Sequence, residues 1–162
     1  MIRGYGRDAH GTQLFIDFYR FVFNNSHVKK DSTNNYKPQS NLKKLTGLTR
    51  NKDIYNYQVS HIWGRTKNIF LFEAPWNVCY TPKIIDPFTG HETKGDLPSD
   101  FQKYFIQSAQ KKYKKYIEDY NRIIESYDFT LLLQEFCDQK GIADEQFVRD
   151  AKAELSPISF IE

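Results

Sequence analysis

Three side chains near the middle of the chain are of types that can hydrolyse phosphate esters. His61, Asn77 and His91 follow one another at intervals of sixteen and fourteen positions. Such a hydrolysis needs a group that deprotonates water, a fixed geometry around that water, and a cation that neutralises charge on the phosphate and the leaving oxygen. His61 can serve as the base, Asn77 can fix the intervening loop, and His91 can hold the cation. The expected chemistry is cleavage of a phosphodiester bond.

Two predicted strands lead to and from these residues. Residues 55–60 alternate aromatic or branched side chains with polar ones, which is the period of a half-buried strand that ends at His61. Residues 64–68 have the composition of a turn or loop. Residues 78–80 predict a second short strand directly after Asn77.

A helix is predicted after the second strand. Pro82 suits a first helical position, because the N–H that proline lacks needs no partner there. Pro87 and Gly90 would bend or interrupt this helix. Asp86 and His91 would then lie on it or beside its end.

Residues 55–95 resemble the HNH, or ββα-metal, nucleases, including restriction-endonuclease-like bacterial HNH proteins. The resemblance rests on the run His61-Ile62-Trp63, on Asn77-Val78 and on Pro82-Lys83. In that family a first histidine ends the first strand, an asparagine follows, and a final histidine lies on the helix. The resemblance implies that His61 is the base, Asn77 the middle asparagine and His91 a metal ligand.

A second metal ligand is expected at Asp86. Many family members carry an aspartate, or another metal ligand, immediately before the base histidine, whereas this chain has Ser60. Hard oxygen ligands and phosphates favour Mg²⁺, and two imidazoles would also tolerate Mn²⁺, Zn²⁺ or Ni²⁺. The metal site is therefore predicted to consist of His91 and Asp86.

The charges are distributed unevenly, which favours a nucleic-acid partner. Residues 28–68 carry a net charge of +7, whereas residues 116–162 carry −7. A basic face attracts nucleic acid because phosphate contacts supply most of the non-specific affinity. The expected partner is DNA, although an ordinary solvated surface has the same composition. The predicted phosphate contacts are Arg65, Lys67, Lys111, Lys112 and Lys115.

Two segments precede the predicted strands. Apolar residues recur at helical spacing over residues 11–24, where Thr12 is the expected N-cap. Residues 24–41 are rich in Asn, Ser, Lys and Asp and include Pro38, which predicts a basic loop.

Three helices are predicted after residue 95. Ser99 is the expected N-cap of a long helix with an aromatic and aliphatic stripe. A shorter helix should start at Asp128 and stop at Gly141, and another should start at Asp144.

These elements predict an α+β protein with one domain over residues 1–162. It would have a small ββα-metal core at residues 55–95, wrapped by an N-terminal helix and basic loop at residues 1–54 and by C-terminal helices at residues 96–162. Because symmetric dimers cut both strands of a palindrome, a homodimer is expected.

The composition argues against several other classes. No run of about 20 apolar residues is present, and the first residues lack the apolar core of a secretory signal, so we expect a cytoplasmic protein without a membrane partner. Cys79 and Cys137 are far apart, which disfavours a cysteine zinc site and a disulfide framework.

Each candidate residue also has a purely structural interpretation. His61 could be a hydrogen-bonded structural histidine, Asn77 a turn cap, Asp86 a turn residue before Pro87, and His91 a surface histidine. The main alternative for the whole protein is a catalytically inactive nucleic-acid-binding or protein-interaction module on a nuclease-like core. A purely structural helical protein is a third reading.

Overall fold

Six α-helices and one two-stranded sheet make up the described part of this α+β protein. The computed structural model describes residues 1–4, 10–33, 35–89 and 94–161. In chain order the elements are α1 (Thr12–Phe23), α2 (Tyr36–Thr46), β1 (Tyr57–His61), a 3₁₀ turn (Pro75–Asn77), β2 (Val78–Pro82), α3 (Asp86–Thr89), α4 (Asp96–Glu125), α5 (Phe129–Lys140) and α6 (Glu145–Glu154). None of the described helices is long and apolar enough to cross a membrane.

The two strands form an antiparallel pair with a long connection between them. Tyr57 lies opposite Pro82, and His61 lies opposite Val78. Both predicted strands are therefore confirmed. The connection over residues 62–77 starts and ends at the same end of the strand pair.

Both faces of the hairpin are covered by helices. Leu42 of α2 packs with Val59 and Val78 in one small buried cluster. Ile62 packs with Ile106 and Ala109 of α4 in another. Burial on both sides explains why so short a sheet is stable, since an isolated two-stranded hairpin is marginal in water.

The larger core lies between α1, α4, α5 and α6 and is rich in aromatic rings. Phe15 meets Phe147 edge to face with ring centroids 5.2 Å apart, and Phe18 meets Phe136 at 5.5 Å. All four rings are fully or almost fully buried, and burying one such ring contributes about 1.5–3 kcal/mol. Tyr19 of the same core donates its hydroxyl to the Lys67 carbonyl at 2.7 Å, so this core also anchors the connection between the strands.

Helix α1 occupies the predicted range, but the prediction for its N-cap was wrong. Thr12 is the first helical residue, and Gly11 precedes it in the left-handed conformation at φ 66°. No side chain caps this end of the helix. Glycine tolerates positive φ because it has no Cβ, so the backbone turns into the helix at that residue.

Helix α2 corrects the prediction of a loop over residues 24–41 and of a single helix before the strands. The fully buried Asp31 accepts the backbone N–H groups of Tyr36 at 3.1 Å and Lys37 at 2.8 Å. Pro38 lies in the first turn, where its missing N–H costs no helical hydrogen bond. The cap thus comes from five positions before the helix, outside the spacing by which N-caps are recognised in a sequence.

The helix predicted from Pro82 was also wrong. Strand β2 continues to Pro82, and the N–H of Lys83 donates to the Asn56 carbonyl at 2.8 Å, which extends the pairing of the hairpin. Proline is tolerated there because an edge strand does not need every N–H. The helix is the single turn α3, which begins at Asp86.

The three C-terminal helices are confirmed, with one change at the start of α4. This helix begins at Asp96, so Ser99 lies inside its first turn and is not the N-cap. Helices α5 and α6 start directly after Asp128 and Asp144, close to the predicted starts, and both residues are N-caps whose carboxylates accept N–H groups at 3.0 and 2.9 Å. Gly141 ends α5 at φ 63°.

Candidate active site

His61 is held at the end of β1 in a neutral state. Its Nε2 lies 3.1 Å from the Phe72 carbonyl oxygen, and its ring stacks on the Phe72 ring with centroids 5.3 Å apart. Because a carbonyl oxygen only accepts hydrogen bonds, this contact assigns the ring proton to Nε2. Burial, with a smaller contribution from the charge of Arg3, lowers the pKa of His61 to about 4 despite that carbonyl. The ring is therefore neutral at pH 7.

The other ring nitrogen of His61 keeps its lone pair. Nδ1 is buried and has no hydrogen-bond partner among the described residues. Buried polar atoms are usually paired, so an unpaired nitrogen acceptor is unusual. A neutral imidazole with a free lone pair has the protonation state of a general base.

Asn77 ties together the connection that follows His61. Its side chain is fully buried, and its Oδ1 accepts the backbone N–H of Trp63 at 3.0 Å. Its Nδ2 donates to the carbonyls of Leu71 at 3.0 Å and Gly64 at 3.4 Å. The Asn77 carbonyl also accepts the N–H of Ile62 at 2.8 Å. One residue thus fixes both ends of the connection.

Asp86 lies beside the residue that precedes His61. The Ser60 hydroxyl donates to Asp86 Oδ1 at 2.6 Å, which joins β1 to the first residue of α3. A half-buried carboxylate and a hydroxyl are oxygen donors of the kind that Mg²⁺ prefers, so their chemistry fits a hard cation. His91, the other predicted ligand, lies outside the described residues. Within the described ranges, no three His, Cys, Asp or Glu side chains form a group that could hold a metal ion.

A cavity of about 350 Å³ lies beside His61. Its lining includes His61, Trp63 and Thr89, and also Ile158 and Ile161. The last two residues were missed in the sequence, because nothing in an apolar residue almost a hundred positions away signals that it will face the end of β1.

The comparisons with known proteins identify a family. Residues 1–160 match the family model described as "Uncharacterised protein PM1201". The chain belongs to this family. A relative from Pasteurella multocida (strain Pm70), called "Uncharacterized protein PM1201", is 44% identical over 126 residues. The match covers 78% of this chain and 57% of the relative, so the chain spans little more than half of the relative's length. No solved structure matches.

In this member of the PM1201 family, two of the predicted phosphate contacts have internal partners. Arg65 donates to the carbonyls of Ser156 and, at 3.0 Å, of Pro157. Lys67 is almost completely buried, and its ammonium group donates to the His10 carbonyl. Both cations therefore join the connection between the strands to distant parts of the chain.

The other three predicted contacts are exposed on α4. Lys111, Lys112 and Lys115 lie on the helix face opposite the core. The ion pairs found on this helix join Lys114 to Glu118 and Arg122 to Asp119, so these three lysines have no acidic partner within the described part of the chain. Their charges face solvent and are open to a polyanion.

A second buried polar cluster lies on the other side of the connection, and sequence reasoning missed it. Asn68 is fully buried and donates to the Tyr120 hydroxyl at 2.9 Å and to the Glu154 carbonyl at 2.6 Å. The Glu154 carboxylate accepts the N–H of Lys67 at 3.1 Å. Burial raises the pKa of Glu154 to about 7, although the Lys67 N–H and the charges of Lys67 and Arg65 oppose the shift.

Proposed function

We propose that this protein is a divalent-metal-dependent endonuclease of the HNH type that hydrolyses phosphodiester bonds in DNA. In this proposal β1, β2 and α3 form a ββα-metal core. The observation that carries the proposal is the state of His61, whose neutral ring has an unpaired nitrogen at the end of β1. The contacts of Asn77 around the following loop and the Asp86 carboxylate beside Ser60 support it.

His61 would act as the general base. Its Nδ1 would take a proton from a water molecule, while Nε2–H stays on the Phe72 carbonyl and keeps the ring oriented. A pKa of about 4 leaves the ring unprotonated at neutral pH, so the Nδ1 lone pair is present for this step. Asn77 would act as a positioning residue, because its hydrogen bonds hold the backbone after His61.

Asp86 and His91 would hold the cation, with Ser60 orienting the Asp86 carboxylate. When bound, a divalent cation supplies neutralising charge for the phosphate and the leaving oxygen. Mg²⁺ suits the carboxylate and hydroxyl oxygens best, and a histidine ligand would also accept Mn²⁺, Zn²⁺ or Ni²⁺.

Binding of the DNA backbone is assigned to exposed cations. Lys111, Lys112 and Lys115 have no acidic partner among the described residues and would contact phosphates. Lys43 and Lys44 on α2 are also exposed, and they add to the basic half of the chain. Because Arg65 and Lys67 make internal hydrogen bonds, their role would be to hold the connection between the strands in place.

The test is cleavage of supercoiled plasmid with Mg²⁺, Mn²⁺ or EDTA. We expect metal-dependent nicking or linearisation by the wild type, and a loss of roughly 10²–10⁴-fold in His61→Ala, the range for removal of a general base. His27→Ala is the matched control, because His27 is exposed in the loop before α2 and should cleave at the wild-type rate. Cleavage by His61→Ala at the wild-type rate would contradict the role of His61 as the general base.

An inactive binding module is the second candidate. It is favoured by Ser60, which replaces a common ligand, and by the burial of His61 Nδ1. Intact plasmid under every metal, from a folded protein that still retards DNA in a gel, would favour this module. Calorimetric titration with Mg²⁺ or Mn²⁺ separates the two candidates, since an inert module needs no cation. Gel filtration at micromolar concentration tests the proposed homodimer.

A further inference from the structure

The segment after α6 runs along α4 without forming a helix or a strand. We call residues 156–161 the strap. Asn121 of α4 donates to the Ile158 carbonyl at 3.0 Å and accepts the Ile158 N–H at 2.8 Å. Gln110 donates to the Ser159 carbonyl at 2.7 Å and accepts the Ile161 N–H at 3.0 Å. The two side-chain amides thus pair with the strap as a neighbouring strand would.

The two ends of the strap are held unequally. Its start is fixed by Arg65 and by Tyr120, whose hydroxyl donates to the Ser156 carbonyl at 3.1 Å, and Ile158 is only 3% exposed. After Ile158, the hydrogen bonds of the strap within the described residues all involve Gln110, while Phe160 and Ile161 are 44% and 42% exposed. Low burial and few hydrogen bonds mark a segment that opens locally.

The loosely held end of the strap borders the His61 cavity. Ile158, Ser159 and Ile161 line it together with His61 and Trp63. At about 350 Å³ the cavity lies at the small end of the range for ligand pockets. A polynucleotide continues past the cleaved bond in both directions, so it needs an open groove at this position.

We propose that residues 159–161 form a movable gate over the His61 cavity, and that breaking their two hydrogen bonds with Gln110 opens it. The role of the gate, which is to admit a polynucleotide strand, rests on the proposed nuclease function. The start of the strap stays fixed by Arg65, Tyr120 and Asn121, so the proposed motion is that of residues 159–161 relative to Ile158.

The first test measures the gate without any substrate. Gln110→Ala removes both bonds, and Gln134→Ala is the matched control because Gln134 is an exposed helical glutamine on α5. The chain has two tryptophans, so a Trp76→Phe background leaves Trp63, which lines the cavity, as the single tryptophan. We expect amide exchange of Ile161 to rise roughly tenfold or more in Gln110→Ala, with the Ile158 amide unchanged. Acrylamide quenching of Trp63 should rise in the same variant.

Two results of this first test would overturn the gate. Faster exchange at Ile161 with unchanged quenching of Trp63 would mean that the segment loosens without opening the cavity. Unchanged exchange at Ile161 would mean that Gln110 does not hold the segment. Either result stands whether or not the protein cleaves DNA.

The second test connects the gate to the nuclease function. If the wild type cleaves plasmid, Gln110→Ala should cleave several-fold faster at limiting DNA, and Gln134→Ala should match the wild type. Equal rates for all three proteins would overturn control of access by the gate. If none of them cleaves while exchange and quenching respond as expected, the nuclease function fails and the gate stands.

Discussion

Asn68 and Asn77 hold the same connection between the strands, one from each side, yet their surroundings differ. Both side chains are completely buried. Around Asn68, the Tyr120 hydroxyl and the Glu154 carboxylate both have hydrogen-bond partners. Around Asn77, the nearby His61 keeps an unpaired ring nitrogen. The first side has the saturated bonding of a structural cluster, whereas the second retains an unused acceptor.

Burial acts on two kinds of ionisable group beside this connection, His61 at the end of β1 and Glu154 at the end of α6. Burial lowers the pKa of His61 to about 4 and raises that of Glu154 to about 7, so it favours the neutral form of each. The neutral histidine is a free acceptor and can do proton chemistry. Glu154 lies near the charges of Lys67 and Arg65, and its carboxylate accepts a backbone N–H that holds the connection.

The largest expected effect comes from removing each asparagine in turn. Asn68→Ala and Asn77→Ala each leave buried backbone groups without hydrogen-bond partners. Each substitution should lower the free energy of unfolding by about 3–5 kcal/mol, measured by urea denaturation. Only Asn77→Ala should shift the NMR signals of the His61 ring. An equal shift in Asn68→Ala would erase the distinction between the two sides.

An effect of up to about 3 kcal/mol is expected from the pH dependence of Glu154. Its pKa is raised from 4.5 to about 7 in the folded state, so between these pH values the folded protein holds a proton that the unfolded chain has lost. The contribution of Glu154 to stability is complete below pH 4.5 and is lost as the pH rises through 7.

Glu154→Gln should therefore remove this loss of stability. The measurement is the difference in unfolding free energy between wild type and variant at pH 4.5, 6 and 7.5, which cancels the opposite slope contributed by His61. A difference that is the same at all three pH values would mean that the carboxyl group titrates normally.

The smallest effect is expected at Ser60. Ser60→Asp places a second carboxylate beside Asp86, and without metal the repulsion should lower the melting temperature by roughly 2–4 °C, equivalent to about 1 kcal/mol. Mg²⁺ should raise the melting temperature again, because the two carboxylates would then share a cation. Asp86→Asn in the same background is the control and should abolish the response to Mg²⁺.

Local patterns in the sequence were enough for several elements. The alternation before His61 and the apolar run after Asn77 predicted β1 and β2, and the caps Asp128 and Gly141 predicted the limits of α5. These signals work because each lies within a few residues of the structure that it specifies. Helix α2 escaped prediction because Asp31 caps it from a distance, through a carboxylate that is buried only after folding.

Sequence patterns alone predicted α1, both strands, the three C-terminal helices, the α+β class and the placement of His61 and Asn77 at the two ends of one connection. The contacts around this connection could be found only in the folded chain. Ser60 donates to Asp86, Arg65 donates to the strap, and Glu154 accepts the N–H of Lys67. The cause is the distance along the chain over which each effect acts. Periodicity and caps act over a few positions along the chain, whereas burial, pKa shifts and cavities arise from segments that meet only in the folded protein.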